Sequence, residues 1–296
     1  MKKSSVIAVA ALIVTAAIWG LSYSAQSEAM ESMPPLFFVF LRYIIGTAIL
    51  LPVIFCRKNR TSVNKKLITG GIACGVCLAG GEILQQFGLL YTSAGKAGFL
   101  TALYVIMIPL IGIFIRKKSH WMIWTAAIIS AAGSFLLCAD KTFHSFGNPG
   151  DILMLICALF FAFQFIFIAK FAPDADAFQL AAIQFFTVAV LSGTAVPFAG
   201  EKCSLQGIIS GWLPLFYCGV IAIGIACTVQ VAAQKYVLPA TASIVLSTAS
   251  VFAVFWGWLL LDEHYSLQNL IGCVLIFAAV VMVQLQSPEE KQKQQP

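Results

Sequence analysis

Charge is what this sequence has least of. Only 10% of its 296 residues are charged and three are histidine, while 60% are hydrophobic. Soluble domains carry about 25% charged residues. There is too little polar surface here to clothe a water-soluble globule, so a soluble enzyme or binding module is excluded. His120, His144 and His264 fall in or beside loops. They form neither H-E-x-x-H nor a Cys/His ligand spacing, so no metal and no cofactor is expected. The phosphate loop G-x-x-x-x-G-K-[ST] and the nucleophile elbow G-x-S-x-G are both missing. ATP bound to this chain is therefore not the expected energy source, and no catalytic constellation is present. Long polar stretches are missing too. The longest are Arg57 to Lys66, Asp140 to Pro149 and a tail from Ser287 to Pro296.

What remains is apolar sequence in long runs. A membrane-spanning helix needs about 20 apolar residues. Ten such runs fit, at about 5–27, 34–56, 67–91, 94–115, 120–139, 150–171, 177–198, 211–234, 238–261 and 266–285. The expected fold is an all-α integral membrane protein with ten transmembrane helices. Lys2-Lys3 followed by an apolar run resembles a signal peptide, but no A-x-A-like cleavage site leads into a polar domain. That run is read as a retained first helix. Nine cysteines are scattered through the runs, and Cys74-x-x-Cys77 is read as two small residues of one helix.

The net charge of +6 sits between the runs rather than on one face. With ten spans and the N-terminus inside, fourteen of the 18 basic residues fall on the inner side, three on the outer side, and Arg42 lies within a span. This bias puts both termini in the cytoplasm. The same pattern argues against nucleic acid as a partner. The expected partners are the lipid bilayer and a small-molecule solute, with a homodimer left open.

The chain divides near residue 145 into five runs and five runs. Arg42 of Leu41-Arg42-Tyr43-Ile44 lies 23 residues after Trp19, and Gln184 of Ile183-Gln184-Phe185-Phe186 lies 21 residues after Phe163. Tyr91-Thr92-Ser93-Ala94 is echoed by Tyr236-Val237-Leu238-Pro239. Repeats with an odd number of spans insert with opposite topology, the plan of many secondary transporters. The expected units are 5–139, 150–285 and a disordered cytoplasmic tail, 286–296.

Five stretches now carry a family resemblance. They are Ala17-Ile18-Trp19-Gly20-Leu21-Ser22-Tyr23, Phe40-Leu41-Arg42-Tyr43, Leu84-Gln85-Gln86-Phe87-Gly88-Leu89, Gly98-Phe99-Leu100-Thr101-Ala102-Leu103-Tyr104-Val105 with Pro109, and Trp256-Gly257-Trp258-Leu259-Leu260-Leu261-Asp262-Glu263. In this order the chain resembles the EamA group of the drug/metabolite transporter superfamily. The resemblance implies ten helices in two inverted five-helix repeats and solute transport at the bacterial inner membrane. One departure stands out. Family members often carry Glu-Pro in the ninth helix, where this chain has Ala249-Ser250. No proline kink is expected there.

Charge at membrane depth costs roughly 2.5–3.5 kcal/mol on insertion scales and marks function by default. At about 1.5 Å per residue, Arg42 lies about 12 Å and Glu82 about 13 Å from the outer side, level with Trp19. Such charges usually pair. The pair can be a structural joint, or a pathway site where Arg42 attracts a solute carboxylate and Glu82 carries a proton. Gln85 and Gln86 extend the polar face of helix three. Gln184 stands in the second half where Arg42 stands in the first. The expected substrate pathway is Trp19, Arg42, Glu82, Gln86, Tyr104, Gln164, Gln184, Gln230 and Trp256, with Glu82 the proton-coupling candidate. Lys96 is read as a snorkelling lysine at the outer mouth, Asp151 as the cap of helix six, and Asp262-Glu263 as the cap of helix nine. The expected function is export of an amino acid or related metabolite by alternating access. An uncoupled facilitator or exchanger is the alternative.

Overall fold

The computed structural model describes residues 3–57, 62–92, 94–116, 120–138, 148–261 and 266–285. The expected caps Asp262 and Glu263 and the tail 286–296 lie outside the described residues. All described regular structure is helical. Among the described residues, ten helical segments cross the molecule. They are α1 (Lys3–Met30), α2 (Pro35–Cys56), α3 (Lys65–Gly88), α4 (Ala94–Ala102 continued by Tyr104–Phe114), α5 (Trp121–Cys138), α6 (Pro149–Phe171), α7 (Ala177–Phe198), α8 (Trp212–Phe216, Tyr217–Cys227 and Thr228–Ala233), α9 (Pro239–Leu246 and Ala249–Leu261) and α10 (Leu267–Leu285). Nine are long and apolar enough to span a bilayer, and α5 supplies a shorter apolar helix, Trp121–Leu137. Its 17 residues sit at the lower bound for a span, about 17–25.

Local chemistry sets the ends. Asn64 caps α3 by accepting from Leu67 N, and Asp176 caps α7 by accepting from Phe178 N and Gln179 N. Proline opens α2, α6 and α9, where its missing N–H costs nothing. The cap of α6 is Asn148, not Asp151; Asn148 Oδ1 accepts from Asp151 N at 2.9 Å. An amide at that position satisfies the orphan N–H, and the Asp151 carboxylate instead pairs with the Lys96 ammonium.

The interruptions fall mid-span. α8 runs as a π-helix over Tyr217–Cys227. α9 breaks between Leu246 and Ala249 although no proline is present. Ser243, Ser247 and Thr248 bond back to the carbonyls of Ala240, Ile244 and Val245 at 2.6–2.8 Å. Such back-bonding bends helices. As expected, no proline kinks the ninth helix at Ala249-Ser250; the interruption just before it coincides with the back-bonding hydroxyls instead.

The packing repeats itself. α3 lies on α6 as α8 lies on α1, α3 on α7 as α8 on α2, and α1 on α9 as α6 on α4. α2 pairs with α7 and α5 with α10. Exchanging the first five helices for the last five leaves this pattern unchanged. Equivalent residues meet where α2 joins α7, with the Tyr43 and Phe185 rings edge to face at 5.8 Å. They meet again where α5 joins α10. A Cβ on Gly133 would stand 2.8 Å from Gly272 O, and one on Gly272 would stand 2.7 Å from Gly133 O. The fold is thus two inverted five-helix repeats about a pseudo-two-fold axis. Small residues let backbones approach this closely in lipid.

Candidate functional site

A cavity of about 110 Å³ lies between the repeats, walled by α1, α2, α3, α4, α6, α8 and α9. Its wall is built by helical spacing. Trp19, Ser22, Tyr23 and Gln26 of α1 stand at i, i+3, i+4 and i+7 and so share one face. Phe161, Gln164 and Phe165 form the matching stripe of α6. Leu78, Glu82 and Gln85 of α3 stand at i, i+4 and i+7, as do Ile223, Cys227 and Gln230 of α8. Thr101, Ala102 and Tyr104 line it from α4, and Leu246, Ser247 and Ala249 from α9.

These stripes are repeat-equivalent. Trp19, Ser22 and Tyr23 correspond to Phe161, Gln164 and Phe165, each 142 residues on. Leu78, Glu82 and Gln85 correspond to Ile223, Cys227 and Gln230, each 145 residues on, and α4 matches α9 at the same offset. The mate of Trp19 is therefore Phe161, not Phe163 as the sequence echo suggested. Phe163 is an exposed ring on the opposite side of α6.

Charge enters from one repeat only. Arg42 of α2 forms an ion pair with Glu82 of α3 on the cavity wall. Arg42 is 3% exposed and Glu82 is partly open to the cavity. The guanidinium lies 5.0 Å from the Phe38 ring centre and 5.7 Å from that of Tyr43, a desolvated cation–π setting. Its Nε has no protein acceptor. The equivalents of Arg42 and Glu82 are Gln184 and Cys227, which are neutral.

The middle of α1 is strapped in place. Trp19 Nε1 donates to Ala222 O at 3.2 Å, Tyr217 OH donates to Ile18 O at 2.6 Å, and Trp256 Nε1 donates to Ala17 O at 2.9 Å. Trp19 is held as a wall of the cavity by α8 and α9.

The chain matches the EamA-like transporter family over residues 6–139 and 148–285. The chain belongs to that family. As an EamA-like protein it is a multi-pass membrane transporter of the drug/metabolite type. The two matched stretches fall on α1–α5 and α6–α10. It is 29% identical over 274 residues to an uncharacterized transporter of Archaeoglobus fulgidus, covering 93% of this chain and 84% of that one. It is 25% identical over 282 residues to the uncharacterized inner membrane transporter YedA of Escherichia coli K12 (93% and 90% covered), and 23% identical to the uncharacterized transporter YoaV of Bacillus subtilis (92% and 94%). A solved crystal structure shares the fold with a TM-score of 0.80 at 19% identity, over 96% of this chain and 98% of the other.

Of the residues singled out in the sequence of this EamA-like chain, Trp19, Arg42, Glu82, Tyr104, Gln164 and Gln230 line the cavity. Gln86, Gln184 and Trp256 do not. Gln86 is fully buried off the cavity with neither amide atom bonded. Gln184 accepts from Gln164 behind the wall at 3.3 Å. Lys96 is buried rather than snorkelling, and its ammonium bonds Asp151. Ser22, Tyr23, Gln26, Thr101 and Ser247 line the cavity without having been expected there, and of the two amides expected on the polar face of helix three only Gln85 lines it. The signal that finds them is the helical step from Trp19 and Glu82, combined with the fixed offset between repeats.

Proposed function

We propose that this protein exports a small metabolite, an amino acid or a related compound, by alternating access and in exchange for protons. The units that rock are 5–139 and 150–285, about the cavity between them. The observation that carries the reading is the Arg42–Glu82 pair on a wall that is otherwise neutral. Protonating Glu82 neutralises it and frees Arg42 to hold a solute carboxylate, while Gln26 and the aromatic wall receive the remainder of the solute. Loss of the proton re-forms the pair and expels the solute. Proton and solute thus compete for one ion pair, which couples their opposite movements. The basic residues of the loops support both termini facing the cytoplasm of a bacterial inner membrane. One chain supplies both halves of the cavity, so this reading does not require a homodimer.

A second reading is uncoupled facilitation or exchange, with the pair as a joint between α2 and α3. It is favoured by the fact that each charge already has its partner. Counterflow in proteoliposomes with a mixed metabolite pool, with and without an imposed pH gradient, separates the two. Proton-coupled export predicts accumulation of a solute against its gradient only when the pH gradient is present, and its loss in Glu82→Gln. Equal flux without the gradient, unaffected by that substitution, supports the second reading. No flux of any solute in the pool counts against transport of this substrate class.

A further inference from the structure

Gln85 and Gln230 occupy the same place in the two repeats, yet their surroundings differ. Gln85 Nε2 lies 3.4 Å from Tyr23 OH and 3.5 Å from Thr101 Oγ1, so its amide N–H groups face two hydroxyl acceptors. The repeat equivalents of Tyr23 and Thr101 are Phe165 and Leu246, at the offsets that relate the rest of the cavity wall. Both hydroxyls have been replaced by hydrocarbon. Gln230 Nε2 is left with no acceptor, in a residue 1% exposed that lines the cavity. A buried amide donor without a partner is destabilising, because its lost hydration is not repaid. Such an atom is tolerated when a partner arrives in the working cycle, and the terminal torsion of glutamine is soft enough to turn toward one.

We infer that Gln230 is a specificity-determining contact, whose amide N–H donates to an oxygen acceptor of the transported solute. The inference rests on the proposed transport function. It assigns Gln85 to structure and Gln230 to recognition, although the two are the same residue at equivalent positions. It requires that the solute carry a carbonyl or carboxylate oxygen at the α8 side of the cavity. A site built to bond such an oxygen rejects analogues that lack it far more strongly than one that recognises shape alone.

The test is efflux from proteoliposomes loaded with an equimolar mixture of the twenty protein amino acids, read by mass spectrometry. Wild type is compared with Gln230→Met and with the double variant Phe165→Tyr, Leu246→Thr. The double variant keeps Gln230 but rebuilds the two hydroxyls that hold Gln85. For each amino acid that wild type releases, both variants are expected to raise the half-saturation concentration about tenfold or more while the maximal rate is retained. The double variant is expected to unfold no more easily than wild type in a thermal melt, which separates lost recognition from lost folding. Unchanged half-saturation in both variants overturns the inference and leaves transport standing. A rise in Gln230→Met alone, with the double variant fully active, also overturns it, because an amide given the hydroxyl partners of Gln85 then serves as well as one without an acceptor. Wild-type vesicles that release none of the twenty overturn the amino-acid reading, and the inference with it.

Discussion

Lys96 Nζ and Asp151 Oδ2 lie 2.7 Å apart, buried, and join α4 of the first repeat to α6 of the second. The repeat equivalents of this pair are Thr241 and Val9, so the opposite face has no matching ion pair. Removing one partner of a buried pair strands the other charge, at about 3–5 kcal/mol. Asp151→Asn should therefore lower the thermal midpoint in detergent more than Lys96→Met, Asp151→Leu together. If the double variant is the less stable, the pair is not desolvated as the structure has it.

The Arg42–Glu82 pair invites the reversed charges, Arg42→Glu with Glu82→Arg. A structural joint tolerates the swap, because attraction is preserved. A solute site does not, because the guanidinium no longer projects from α2. We expect stability within about 1–2 kcal/mol of either single variant's better value and loss of efflux. Retained efflux in the swapped protein would reduce the pair to a joint.

Glycine contacts predict opposite outcomes at two positions. Gly272→Ala drives a methyl to 2.7 Å from a backbone oxygen of α5, which cannot step aside. Overpacking of this kind costs about 1–3 kcal/mol. Gly98→Ala meets nothing within 4 Å, and alanine gains about 0.5–1 kcal/mol over glycine in a helix interior. Thermal melts of the two variants should move in opposite directions from wild type; equal shifts would refute the close crossing at α5 and α10.

Lys235 gives a pH dependence. Its ammonium bonds Ala175 O, and burial holds its pKa below the ordinary 10.5, with Arg57 lowering it further and Asp176 opposing both. The unfolded chain therefore binds the proton more tightly. Between the lowered value and 10.5 the unfolded state carries more protons, so stability rises with pH across that window. Lys235→Met should flatten this rise in melts taken from about pH 8 to about pH 10.5. A difference between the two proteins that stays constant with pH would show that Lys235 contributes none of it.

Much of the fold was legible because lipid simplifies the problem. Every backbone polar group at depth must be satisfied within a helix, so apolar run length reports span number almost directly. The pairing of Arg42 with Glu82 was legible for a similar reason, since two charges at one depth have few other partners. Lys96 was misread because its depth near a helix start allows both snorkelling and burial, and only the approach of α6 decides between them. The interruption of α9 was not legible because proline is an obvious breaker and a run of hydroxyls is not.

The sequence by itself determined the helices, their number and the repeat, since these follow from hydrophobic length and from the parity of the spans. Only the tertiary structure decided which polar groups share a cavity. Gln85 and Gln86 are neighbours in sequence and face different ways, and Gln85 and Gln230 are equivalent in the repeat and meet different partners. Those differences arise from side chains on other helices, at distances of a few ångströms. Such contacts leave no periodic trace along the chain.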